Sequence, residues 1–273
     1  MNKQQESRKE ILRMENICKS YPLYRGGRFL ANDHVNVTLH QGETMGIVGE
    51  SGSGKSTLAR ILMRICDADS GRILFHGRDL LALRGEELRQ VRRSIQMIFQ
   101  DPAAAFNPKL KIREIICEPL RNFGLLSAEN VDAKAREMLR LVDLPEDVAD
   151  RYPNSLSGGQ RQRVGIARAM ILQPDIIVCD EATSALDVSV QQTIIQLLKR
   201  IQRETGVSYL FICHDLALAN MFCDNILIMQ KGRIVEDIRD LRHVRTNYGR
   251  HLLDSIFSVE LGKRKVFDES LFA

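Results

Sequence analysis

The sequence predicts an α/β fold in which a mainly parallel sheet is covered by helices on both faces. Short, wholly apolar runs of strand length recur along the chain, such as Ile176-Ile177-Val178-Cys179 and Tyr209-Leu210-Phe211-Ile212-Cys213. Stretches with helical periodicity separate them. Strands without polar alternation must be buried on both faces, which is the position of a parallel strand under crossover helices.

The elements follow in order. Residues 11–43 and 71–76 read as antiparallel β with polar turns at Arg25-Gly26-Gly27 and Gln41-Gly42. Residues 44–48 form a core strand that runs into a glycine-rich turn. Leu58, Ile61, Leu62 and Ile65 then mark one face of a helix. Residues 94–99 read as a strand. Residues 110–151 read as helical throughout, with Ala135, Met138, Leu139 and Val142 in one stripe; Pro102 and Pro108 precede this insert and Pro153 follows it. Residues 175–179 are a buried strand, and Val190, Ile194, Leu197, Leu198 and Ile201 line the next helix. Strands at 208–213, 225–229 and 233–235 complete the set. Beyond about residue 237 the pattern is charged and weakly periodic, so 237–273 is expected to be a C-terminal extension.

Composition narrows the function. Hydrophobic residues make up 44% and charged residues 27%, the balance of a soluble globular chain. The net charge of +4, no tryptophan and 5% aromatics argue against a nucleic-acid partner. No apolar run approaches the roughly 18 residues of a spanning helix, and the polar N-terminus is no secretory signal. Six cysteines without CxxC pairing read as reduced, buried thiols. Arg84, Arg89, Arg92 and Arg93 read as a solvated face, and Lys263-Arg264-Lys265 is too short to anchor the chain to lipid.

Gly49-Glu50-Ser51-Gly52-Ser53-Gly54-Lys55-Ser56, followed by Thr57, fits GxxxxGK[ST] between a strand and a helix. Its glycines let successive N–H groups face inward, where the helix N-terminus adds about half a positive charge. Lys55 can reach β- and γ-phosphates, and the Ser56 hydroxyl can ligate Mg²⁺. At the end of a buried strand, Asp180 can hold the same metal, and Glu181 can act as general base on an attacking water. Ser157-Gly158-Gly159-Gln160, before a long helix, forms a second anion cradle. One polypeptide cannot easily wrap both cradles around one γ-phosphate, so the pattern suggests two subunits facing head to tail.

These motifs, in this order, resemble the ATP-binding cassette (ABC) ATPases over residues 11–236, with a helical subdomain inserted at about 102–160. The resemblance implies a P-loop NTPase (RecA-like) core with an antiparallel β subdomain. It implies that Tyr21 stacks on adenine and that Gln100 contacts Mg²⁺ and water. Ser157, Gly158, Gly159 and Gln160 would meet the partner's γ-phosphate. Asp187, in Ser184-Ala185-Leu186-Asp187, would lie at the dimer seam, and His214 would be the switch histidine. ATP and Mg²⁺ are the implied cofactors.

Gly49-Glu50-Ser51-Gly52, residues 97–102, Asn107-Pro108 and residues 184–191 resemble the subunits that energise import of dipeptides, oligopeptides or nickel. Ala104-Ala105-Phe106 and Ala182 depart from that pattern, and Tyr248 to Leu253 only faintly matches its tail. The resemblance implies an Mg-ATPase that drives a membrane transporter from the cytoplasmic face. Its partners would be separate permease subunits, a second cassette (in a homo- or heterodimer) and, indirectly, a solute-binding protein. The cargo it implies is a di- or oligopeptide, or else nickel or a metal chelate. The alternative is a soluble ABC ATPase with a regulatory or assembly role.

Overall fold

The structure, a computed structural model, describes residues 9–24, 26–127, 130–182 and 187–261. Strands β1 (Glu10–Pro22) and β2 (Arg28–His40) form a long antiparallel hairpin. β3 (Thr44–Val48) leads through the glycine-rich turn into α1 (Lys55–Leu62). β4 (Ser70–Phe75) and the short β5 (Arg78–Asp79) return to the hairpin, giving a sheet of order β2-β1-β4-β5. Next come α2 (Gly85–Ser94), β6 (Ile95–Ile98), α3 (Ile112–Asn122) and α4 (Val131–Leu141). The chain continues through α5 (Gly158–Met170), β7 (Ile176–Asp180), α6 (Val188–Thr205) and β8 (Ser208–Cys213). It ends in α7 (Leu216–Phe222), β9 (Asn225–Gln230), β10 (Arg233–Ile238) and α8 (Asn247–Leu261).

The second sheet has the order β10-β9-β3-β8-β7-β6, parallel from β9 to β6 with β10 antiparallel at the edge. All five residues of β3 and all six of β8 are buried, which is why their sequences carry no polar alternation. One face packs on α1 and the antiparallel sheet through Ile47, Leu58, Ile61, Val178 and Leu210. The other packs on α3 to α7 through Ile177, Cys179, Tyr209 and Phe211. The sheet therefore divides two apolar cores, and its carboxyl edge is left for chemistry.

Several expectations are corrected. Ile65 lies beyond the end of α1 and is 60% exposed, because the chain turns at Arg64, whose φ is +53°. The segment 110–151 is not one helical run. Gly124 at φ +68° stops it after α3, and Pro145 leads into a 3₁₀ turn after α4. The stripe Ala135, Met138, Leu139 and Val142 is nonetheless buried. The residues after 237 include α8. Of the six free cysteines, Cys117, Cys179 and Cys213 are buried, whereas Cys18, Cys66 and Cys223 are only partly so. The arginine face holds as expected, with Arg84, Arg92 and Arg93 exposed. Locally, Arg89 pairs with Glu86, Arg92 donates to the Arg64 carbonyl, and Arg84, just before α2, donates to the Leu81 and Leu83 carbonyls. Lys263, Arg264 and Lys265 lie outside the described residues.

Candidate functional site

Parallel pairing brings the site together at one edge of the sheet. Val48 lies opposite Cys213, Ile212 opposite Asp180, and Cys179 opposite Ile98. The next residues on these neighbouring strands are Gly49, His214, Glu181 and, two past the end of β6, Gln100. Strands are spaced by about 4.8 Å, so this row spans roughly 15 Å at the carboxyl ends, where α/β sheets bind ligands.

The phosphate loop is braced by the backbone around it. The Ser53 carbonyl accepts from Gly232 N (2.9 Å), and the Gly54 carbonyl accepts from Asn32 Nδ2 (3.2 Å) and Leu58 N (3.0 Å). The Gly49 and Glu50 carbonyls accept from Lys55 Nζ at 2.6 and 2.8 Å. These bonds fix the loop carbonyls at the N-terminus of α1, where backbone amides and the helix dipole favour negative charge. Two glycines are required by close approach. A Cβ on Gly49 would lie 2.1 Å from the Met229 carbonyl oxygen, and one on Gly54, at φ +107°, would lie 2.1 Å from that of Ala31.

Charge gathers at this point. Lys55 is buried, and burial pulls its pKa below the ordinary value. The carboxylates of Glu181, Asp180 and Glu50 act in the opposite sense, which places all three within electrostatic reach of the ammonium. Asp180 Oδ1 accepts from Ser56 Oγ at 3.1 Å. Burial pushes the Asp180 carboxyl above the usual carboxylate range; the Ser56 hydrogen bond opposes this and the neighbouring Glu181 charge adds to it. An adjacent hydroxyl and carboxylate, with a second carboxylate raising the local negative charge, are a hard oxygen set that fits Mg²⁺. Glu181 sits in the left-handed region at φ +51°, its N–H held by the Ile212 carbonyl (2.9 Å). A non-glycine residue there costs of order 1–3 kcal/mol, a cost met also at His76 and Lys231 just after other strands.

The second cradle is a helix N-terminus with a reciprocal cap. Ser157 Oγ accepts from Gln160 N (3.3 Å), and Gln160 Oε1 accepts from Ser157 N (2.9 Å). Ser157 and Gly158 are exposed. Asp187 caps α6 by accepting from Val190 N (3.0 Å) and Ser189 Oγ (2.7 Å), and these bonds hold its carboxyl below the usual range. A Cβ on Gly159 would stand 3.1 Å from Val190 Cγ1, so the two capped helix starts are neighbours. Ser184, Ala185 and Leu186 lie outside the described residues.

His214 follows β8 and is exposed, with Asp215 capping α7 through Leu218 N (3.0 Å). Gln100 is exposed ahead of a 3₁₀ turn at Pro102–Ala105. Tyr21 belongs to the other sheet: its hydroxyl lies 3.9 Å from Cys66 Sγ and its ring 5.5 Å from Lys19 Nζ. Lys19 is on the same strand as Tyr21, and Cys66 lies past the C-terminal end of α1, while the phosphate loop lies at its start. One residue at the loop was missed. Tyr248 of α8 accepts from Glu50 N at 2.9 Å. Its only signal in the sequence was the faint tail resemblance from Tyr248 to Leu253.

Comparison with known proteins follows the same lines. A family described as ABC transporter matches residues 32–184. The probable peptide ABC transporter ATP-binding protein y4tS of Sinorhizobium fredii is 48% identical over 83% of this chain and 66% of its own length, just under two thirds. The oligopeptide transport ATP-binding protein OppF of Salmonella typhimurium is 44% identical over 86% of this chain and 73% of its own. Among solved structures, the ATP-binding cassette MJ0796, as a dimer bound to ADP and phosphate, superposes with a TM-score of 0.75 at 33% identity. That match covers 84% of this chain and 98% of the cassette. With a matching family profile over more than half its residues and such relatives beside it, this chain belongs to the ABC transporter family.

Proposed function

We infer that this chain is the ATP-binding and ATP-hydrolysing subunit of an ABC importer. The observation that carries the reading is the convergence of Lys55 and Ser56, just after β3, with Asp180 and Glu181, at the end of β7, on the carboxyl side of the parallel sheet with β8 between them. Lys55 and the loop amides would hold the nucleotide phosphates. Ser56, Asp180 and Gln100 would hold Mg²⁺, which supplies charge neutralisation on the phosphates when bound. Glu181 would take the proton from the attacking water, with His214 one strand away beside the γ-phosphate. Tyr21 is assigned to the adenine ring.

Ser157, Gly158, Gly159, Gln160 and Asp187 would serve the nucleotide of a second cassette. A dimeric structural relative supports that arrangement. The cassette would span 11–236, with a helical subdomain at about 102–160 and an extension at 237–273. Relatives named for peptide and oligopeptide transport favour peptide over nickel as cargo. No described helix is long and apolar enough to cross a membrane, so separate permease subunits would supply the path, with this chain on their cytoplasmic face.

Glu181→Gln tests the reading, because it removes a base while keeping size and shape. ATP should still bind, phosphate release should fall about 10²–10⁴-fold, and a closed dimer should accumulate in size-exclusion chromatography with ATP. Any partner cassette must be supplied in that assay. Near-normal phosphate release would overturn Glu181 as the base.

A further inference from the structure

The C-terminal helix reaches the phosphate loop through Tyr248, whose hydroxyl accepts from Glu50 N, and two features of the sequence hold it there. Glu236, on β10, accepts from the backbone of Arg245, from Thr246 N (3.2 Å) and from Thr246 Oγ1 (2.6 Å). Thr246 Oγ1 in turn accepts from Gly249 N (2.9 Å), capping the start of α8. The carboxylate is set so close that a Cβ on Gly249 would lie 2.6 Å from Glu236 Oε2. Leu252 is buried against the core, with Tyr248 and Leu253 packed beside it. This docking delivers the Tyr248 hydroxyl to Glu50 N.

That bond meets a particular peptide unit. The Gly49 carbonyl and the Glu50 N–H belong to one peptide plane, and no cis bond occurs among the described residues. In a trans peptide these two groups point in opposite directions. One edge of the plane is therefore held by Lys55 Nζ on Gly49 O (2.6 Å) and the other by Tyr248 Oη on Glu50 N (2.9 Å). Rotating the plane would move the carbonyl that seats the ammonium and would strip Glu50 N–H of its partner.

We propose that Tyr248 is a positioning residue of the phosphate loop: it fixes the Gly49–Glu50 peptide plane, through it the seat of Lys55, and so makes nucleotide affinity depend on the docking of α8. The inference rests on the reading of Lys55 as a phosphate ligand. Tyr248 touches no reacting atom and acts through that peptide. Its phenol stays protonated, since burial raises its pKa, so the oxygen accepts as a neutral hydroxyl.

The test uses the full chain and four variants: Tyr248→Phe, Thr246→Val, Lys55→Ala and the Tyr248→Phe/Lys55→Ala pair. ATP affinity is measured by calorimetric titration, turnover by phosphate release, and melting without nucleotide by circular dichroism. Tyr248→Phe keeps the ring and its packing. It should weaken ATP binding about three- to tenfold, the net worth of one hydrogen bond. Turnover at saturating ATP should stay within twofold, and the melting temperature within about 2 °C. Thr246→Val, which removes the cap of α8, should weaken ATP binding in the same sense. In the Lys55→Ala background, Tyr248→Phe should have no further effect, as coupled neighbours are non-additive.

If Tyr248→Phe leaves affinity within twofold while Lys55→Ala weakens it, the inference fails and the proposed function stands. Unchanged affinity in Lys55→Ala would sink the phosphate-loop reading itself, and the inference with it. An equal loss from Tyr248→Phe with and without Lys55 would overturn the route through the peptide plane. Normal affinity in Thr246→Val beside a weakened Tyr248→Phe would overturn the dependence on helix docking.

Discussion

Gly49→Ala offers a perturbation whose size can be worked out from the fold. The added Cβ would stand 2.1 Å from the Met229 carbonyl oxygen, 2.9 Å from Ser53 Oγ and 3.2 Å from the Met229 carbonyl carbon. Met229 cannot yield, because β9 is paired on one side with β10 at Ile234 and on the other with β3. The loop must retreat instead. Reaching even the 3.0 Å floor of real Cβ contacts requires a shift of 3.0 − 2.1 ≈ 0.9 Å. The same peptide carries the Gly49 oxygen that seats Lys55, so the ammonium moves with it.

A displacement of about 1 Å in a positioning group costs on the order of 10²-fold in rate. Crowding the core costs about 1–3 kcal/mol, or roughly 2–12 °C in melting temperature for a chain of this size. The variant should thus remain folded at 25 °C, with phosphate release reduced about 100-fold. Gly124→Ala is the control: its φ is +68° with nothing within 4 Å, and it lies in the turn after α3. It should lose about 1–2 kcal/mol of stability from the left-handed backbone, with turnover unchanged. Gly49→Ala with turnover within threefold of wild type, while folded, would refute the claim that loop position is set by β9.

Two further substitutions separate binding from stability. Ser157→Arg should leave ATP binding to the isolated chain intact and abolish hydrolysis. Losing the cap of α5 costs at most about 2 kcal/mol, and a mutant that no longer binds ATP would count against a role in the opposite subunit. Asp180→Asn should melt higher than wild type at pH 7 while hydrolysing poorly. Burial and Glu181 hold the Asp180 carboxyl above its ordinary value, so the folded state binds that proton more tightly than the unfolded chain. Stability is therefore lost as pH rises from the unfolded pKa through the folded one, and the ionised group is destabilising at neutral pH. The stabilisation by Asp180→Asn should vanish below the ordinary carboxylate range, where both states are protonated. A melting temperature that falls at pH 7, measured by calorimetry without nucleotide, would contradict the assigned direction.

The groups that form the candidate site were legible because each depends on chemistry written locally. A loop that must turn its amides inward needs Gly49, Gly52 and Gly54 near Lys55, and a helix that must start at Gly158 needs a cap such as Ser157. Buried parallel strands announce themselves as unbroken apolar runs, so the ends of β3, β7 and β8 could be found without any contact information. What was not legible depends on residues far apart in the chain. The apolar residues of α8 follow a charged stretch at 237–246 that hides its start, and where the helix docks is set by Glu236 reaching its first turn and by the space left at Gly249. The bond from Glu50 to Tyr248 joins positions 198 residues apart and has no motif.

The same distinction explains position 181. Glutamate after aspartate at a strand end identifies a candidate base, but its left-handed backbone is invisible to sequence, since glutamate has no preference for φ +51°. The conformation is imposed by pairing: Ile212 takes the Glu181 N–H and continues the ladder one residue past β7. A glycine would sit there with less strain but would carry no carboxylate. Two other strands run into a non-glycine residue in the same region, His76 after β4 and Lys231 after β9. The left-handed turn therefore belongs to strand ends of this fold, and what sets position 181 apart is a carboxylate placed beside Asp180 and Lys55.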